Sequence, residues 1–162
     1  MKVVPYAERY KQDFIDLNQG WIETLFEMEP EDYITLEHIG ALVEQGAQVF
    51  FAVNEEDAVL ACCMVAPKGN DEWEIEKFAA RNLGTGTGAG TACLKACMEY
   101  AWEQGAKRLL IVSNTKCERA VALYRKYGFQ EIPVDSLEIP YQRVDIVFEM
   151  TRESFDEIKQ NG

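Results

Sequence analysis

Between residues 72 and 113 the chain sets the strand-like EWEIEKFAA before LGTGTGAGT, a run with glycine at 84, 86, 88 and 90. A helical stripe follows, and then the apolar run KRLLIVS. No other stretch restricts the fold as much. Glycine lets the backbone reach positive φ and admits a ligand close to the main chain, but it weakens regular structure. The run is therefore either a flexible joint or a binding loop. A strand before it and a helix after it favour the loop: the first turn of a helix exposes amides without acceptors, and its dipole attracts negative charge. Phosphate is the obvious guest.

Two phosphate motifs fail in detail. Walker A needs GxxxxGK followed by Ser or Thr, and no lysine stands within this loop. A dinucleotide fingerprint can be laid on Gly84, Gly86 and Ala89, yet it would sit in the second half of the chain instead of opening a doubly wound sheet.

Around this unit, periodicity predicts the other elements. Tyr10, Phe14 and Leu17 share one helix face, giving a first helix over about residues 7–18 that Gly20 interrupts, with a short helical turn in WIETLFEME. Pro30 opens another helix that runs to Gly46. QVFFAVN and AVLACCMVA form a hairpin across EED, and EWEIEKFAA follows as a third strand. From Ala89 a stripe of Leu94, Cys97, Met98 and Ala101 marks a helix ending at Gly105; KRLLIVS suits a strand covered on both faces. CERAVALYRKYG is helical, two strands close the chain around a long loop, and RESFDEIKQNG is expected to fray.

At 162 residues one domain is expected. A hydrophobic share of 48% and a charged share of 27% belong to a soluble globular protein, and no apolar stretch reaches the roughly 18 residues of a membrane helix. The N-terminus shows no h-region, so a cytoplasmic location without a membrane is expected. A net charge of −12 argues against nucleic acid as a partner and agrees with a cationic or amine substrate. The five cysteines form no CxxC pair and His38 is the single histidine, so no metal is expected and the thiols read as core. The sequence leaves room for a homodimer.

Aligned on Cys93 and Leu94, TGTGAGTACL resembles the acetyl-CoA loop of the GCN5-related N-acetyltransferase (GNAT) superfamily, R/Q-x-x-G-x-G/A. RAVALYRKYGF resembles that family's A-x-x-L-Y-x-x-x-GF helix. NQGWIETLFEMEPED, SNTKCERAVALYRKYGFQEIP and YQRVDI are similar to one bacterial branch. The resemblance implies an α/β GNAT fold: a mixed, mostly antiparallel sheet of six to seven strands with helices on both faces. It makes residues 1–162 a single N-acetyltransferase domain with a short polar tail over about 153–162. The implied activity is acetyl transfer from acetyl-CoA to a primary amine, on a small molecule or peptide, by direct attack in a ternary complex. The rival reading is a sensor or interaction module of the same fold that binds acyl-CoA without turnover.

The resemblance also assigns residues. Cofactor contacts fall on Thr85, Gly86, Thr87, Gly88, Ala89, Gly90 and Thr91 for the pyrophosphate, and on the backbone of Phe78, Ala79 and Ala80 for the pantetheine arm. Thr85 departs from the usual Arg or Gln, which removes one contact. Cys117 replaces an asparagine, with Asn114 three residues earlier offering a polar contact; Cys117 as a covalent acyl carrier is the alternative. Tyr124 matches the tyrosine that protonates the departing thiolate, though helix spacing alone reads it as core. Strand alternation sets Glu74 and Glu76 on one face and Trp73, Ile75 and Lys77 on the other. Glu74 is the preferred base and Glu76 the second, against both as solvated strand residues. Trp21, Phe26, Glu29, Asp32, Tyr141 and Arg143 are candidates for the acceptor site. Acidic members would attract a cationic amine, whereas Arg143 would hold an acceptor carboxylate.

Overall fold

Alternating and continuous apolar runs pair as strands because each must bury one or both faces. The computed structural model describes residues 1–81 and 87–161. Its elements run β1 (Lys2–Pro5), α1 (Lys11–Leu25), α2 (Pro30–Glu37), α3 (Ile39–Glu44), β2 (Gln48–Val53), β3 (Val59–Gly69) and β4 (Glu72–Ala80). They continue as α4 (Ala89–Glu103), β5 (Arg108–Ser113), α5 (Glu118–Lys126), β6 (Gln130–Ile132), β7 (Ile146–Thr151) and α6 (Arg152–Asn161). The strands form one sheet in the order β1-β2-β3-β4-β5-β7-β6, as the expected fold requires. β4 and β5 are its parallel pair, joined across α4, and the other neighbours are antiparallel.

β3 shows why its sequence is apolar without alternation. Cys63 and Val65 join the core beneath α4, while Cys62, Met64 and Ala66 join the core beneath α1 to α3. Both faces are covered, so no position is spared for polar side chains. Four of the five cysteines are buried in these two cores as free thiols.

Three expectations change. Gly20 does not end the first helix: α1 runs to Leu25 because Phe14, Asn18 and Ile22 keep one face buried through it. The second helix divides at His38 into α2 and α3. The tail is α6, not frayed, because Phe155 stacks on Trp102 at 5.3 Å between ring centroids. Among the described residues no helix is long and apolar enough to cross a membrane.

Candidate active site at the parting of the sheet

Parallel pairing between β4 and β5 covers three residue pairs, Glu72 with Arg108, Trp73 with Leu109 and Glu74 with Leu110. Beyond them the strands part, and a cavity fills the gap. β4 lines it from Glu74 to Phe78, β5 and its end from Ile111 to Asn114, α5 with Cys117, Ala120 and Tyr124. Trp21 and Phe26 close one side, Tyr141 and Arg143 another. The cavity thus brings together Glu74, Glu76, Phe78, Asn114, Cys117, Tyr124, Trp21, Phe26, Tyr141 and Arg143 from the expected set. Ala79 and Ala80 continue β4 past it, and Glu29 stands behind Arg143. Gly86 and Thr85 lie outside the described residues.

A bulge in β4 corrects the assignment of Lys77. Opposite β3 the register slips between Cys62/Ala79 and Met64/Glu76, and Lys77 takes φ +51. Alternation holds from Trp73 to Glu76 and then changes phase, as a bulge requires. Phe78 therefore turns toward α4, whereas Lys77 turns to the face of Glu74 and Glu76, where its Nζ donates to Asp32 Oδ1 at 2.8 Å. A buried lysine demands a buried counter-ion.

Asp32 is that counter-ion, with no exposed surface. Arg143 grips it with two parallel bonds, Nη1 to Oδ2 and Nη2 to Oδ1, both 2.7 Å. The backbone N–H of Glu29, the residue before Pro30 at the start of α2, donates to Oδ2 at 2.9 Å. Burial opposes ionisation of Asp32, but the bonds from Arg143 and the charge of Lys77 outweigh it and lower its pKa to about 2. Glu29 accepts from the backbone N–H of Gln142 at 2.8 Å. Both acids that sequence reading offered to a cationic acceptor are thus spent on tying the late loop to α2. Arg143, offered to an acceptor carboxylate, is already clamped on one.

Glu74 and Glu76 share the same wall. Burial and then the neighbouring charge of Glu76 push the Glu74 pKa up to about 8, so it holds a proton at neutral pH. Lys68 Nζ lies 3.4 Å from Glu76 Oε2, partly exposed, and its charge works against that rise. Lys68→Ala is therefore expected to move the Glu74 ionisation upward. Carbon-13 NMR titration of the side-chain carboxyls reads this directly; an unmoved or lowered midpoint would refute the electrostatic account.

Tyr124 faces the cavity from α5, packed among Phe78, Phe129 and Phe148. Burial keeps its hydroxyl protonated far into alkaline pH. The ring of Phe78 also links this site to α4, because a Cβ on Gly90 would stand 3.2 Å from it. A side chain at that position would press on the ring. Gly88 precedes α4 with φ +77, and the first intrahelical bond runs from Ala92 N–H to Gly88 O. Gly90 and Thr91 therefore present amides without helical acceptors at the end of the cleft. Asn114 is less available than expected: its amide donates to Arg143 O at 2.6 Å and its carbonyl accepts from Lys116 N–H. Cys117 is half-buried, and burial raises its thiol pKa, which opposes a nucleophilic thiolate. Among the described residues no group of three or more His, Cys, Asp or Glu is placed to hold a metal ion.

A seven-stranded sheet that parts beside a glycine-led helix defines the acetyltransferase class to which solved structures of like fold belong. The chain is a member of the GNAT acetyltransferase family, whose sequence model matches residues 11–129. Among solved structures, a GNAT acetyltransferase from Staphylococcus aureus Mu50 superposes with a TM-score of 0.85 at 17% identity, over 93% of this chain and 98% of that one. The ribosomal-protein-alanine N-acetyltransferase of Brucella melitensis gives 0.73 at 17% identity, over 93% and 99%. A phosphinothricin acetyltransferase from Sinorhizobium meliloti, solved in complex with AcCoA, gives 0.72 at 14% identity, over 93% and 87%. At such identities the likeness is one of fold. Among curated proteins, none matches.

Proposed function

We propose that this chain is an acetyl-CoA-dependent N-acetyltransferase that moves an acetyl group to a primary amine by direct attack in a ternary complex. One observation carries the reading: a carboxyl poised near neutral pH, Glu74, and a phenol that keeps its proton, Tyr124, line one cavity. The residues fit the donor as well. Bare backbone at Gly88 and Gly90 and the open amides of α4 suit the pyrophosphate, and the β4 edge beyond Glu74, without a β5 partner, suits the amide-bearing arm. The phosphinothricin enzyme with AcCoA has the same fold, which supports the choice of donor.

In this mechanism the amine nitrogen attacks the thioester carbonyl carbon, and the C–S bond breaks. Glu74, ionised, takes the proton leaving the nitrogen, with Glu76 sustaining its basicity. Tyr124 gives its proton to the thiolate. The reading places the whole of 1–162 in one domain, working in the cytoplasm without a metal.

Free-thiol release from acetyl-CoA with a panel of amines tests it. Tyr124→Phe is expected to lower kcat by about 100-fold, with little change in acetyl-CoA affinity. Calorimetry without saturable acetyl-CoA binding would sink the proposal. Binding without thiol release on any amine would favour the sensor reading instead.

A further inference from the structure

The cavity's chemistry narrows the acceptor. We infer that the acceptor is a primary amine on an apolar body of aromatic size, without a carboxylate beside the amine, a conclusion that rests on the acetyltransferase reading of the same site. Among the described residues two cations line the cavity, Lys77 and Arg143. Each already has a carboxylate of the protein as its counter-ion. Arg143 spends both terminal nitrogens on Asp32, and Lys77 divides its ammonium between Asp32 and the Tyr141 hydroxyl at 3.0 Å. With Glu29 beside Arg143 and Lys68 beside Glu76, these charges balance when Glu74 is protonated, and the site turns negative when it ionises. An acceptor carboxylate would enter beside Glu74 and Glu76 with no uncommitted counter-charge lining the cavity among the described residues, which costs desolvation with little recompense. An ammonium meets the opposite field.

The rest of the wall is apolar. Trp21 and Phe26 meet edge to face at 6.5 Å, with Leu25 between them in sequence, and Phe78 and Tyr124 stand across. Trp21 Nε1 donates to the buried Asn18 carbonyl at 3.0 Å, so the indole presents carbon to the cavity. Arg143 already lies 4.6 Å from the Tyr141 ring centroid and 5.8 Å from that of Trp21, so a further cation is drawn to the carboxylates more than to those rings. Amine toward Glu74 and Glu76, apolar body toward Trp21 and Phe26: this is the orientation the lining favours. Lys116 Nζ stands 5.4 Å from the Phe26 ring but does not line the cavity.

The test compares 2-phenylethylamine, phenylalanine, spermidine and ethylamine at saturating acetyl-CoA, by thiol release and, with CoA bound, by thermal shift. Phenylethylamine is expected to exceed each of the others in kcat/KM by about 30-fold or more, and to raise Tm where phenylalanine does not. Trp21→Leu is expected to cut the ratio of phenylethylamine to ethylamine kcat/KM by about tenfold, and an unchanged ratio would overturn the inference. Phenylalanine or spermidine transferred as well as phenylethylamine overturns the inference and leaves the acetyltransferase reading standing. Stabilisation by phenylethylamine alone, with no thiol release from any amine, supports the amine site and removes the catalytic reading. No stabilisation and no transfer by phenylethylamine overturns the inference too.

Discussion

Asp32→Asn is expected to destabilise the protein by about 3–5 kcal/mol, a fall in Tm of roughly 10 °C for a chain of this length. The substitution keeps the shape and removes the charge. Lys77 and Arg143 would then face a buried amide, one of whose ends is itself a donor, with Glu29 as the remaining nearby anion. Removing one partner strands the others, and that penalty exceeds the modest net worth of the intact pair. Pairing the change with Lys77→Met should recover part of the loss, since it withdraws one of the stranded cations. The pH dependence has a definite sign. Asp32 is lowered from 3.8 to about 2 in the folded state, so its contribution is present above pH 3.8 and is lost as pH falls through about 2. Thermal unfolding from pH 7 to pH 2 reads both effects. A variant with wild-type Tm and an unchanged acid limb would show the cluster to be idle.

Glu74→Gln carries the second large effect, and its two readouts move in opposite directions. Wild-type kcat/KM is expected to climb as Glu74 ionises through about pH 8. The variant should lose about 100-fold or more at pH 9, with that climb gone. Stability goes the other way. A carboxyl raised from 4.5 to about 8 on folding binds more protons in the native state than in the unfolded one, so it weakens the fold as pH rises across that window. Glutamine cannot ionise, and the variant should therefore be more stable than wild type above pH 8. A pH–rate profile beside a Tm series over pH 5 to 9 measures both. If Glu76→Gln abolishes the climb and Glu74→Gln keeps it, the base is Glu76.

Much of this was legible because local signals agreed with one another. β4, α4 and β5 lie where alternation, the stripe after Ala89 and the apolar KRLLIVS put them. Each of those segments has a face whose burial its own sequence dictates. The cavity's members were legible only through the family pattern, since Trp21, Glu74, Tyr124 and Arg143 come from four distant segments that periodicity cannot join. The bulge at Lys77 was not legible, because one extra residue in a strand leaves no compositional mark. The ionic cluster escaped for a related reason. Glu29 and Asp32 look like ordinary acids at a helix start, and nothing local to them says that Arg143, more than a hundred residues later, returns to them. α6 was missed because a single aromatic, Phe155, packed against the core beside Trp102, docks a helix whose own sequence is mostly polar.

Three rungs join the two halves of the sheet, and an arginine stands at each end of that seam. At the closed end Arg108 holds Glu72 of β4 and Glu149 of β7 at 2.6 and 2.7 Å. At the open end Arg143 binds the late loop to α2. One works as a hinge pin and the other as a clasp. The width of the cleft between them thus rests on two guanidinium groups, so a change at either arginine is expected to read out as a change of aperture.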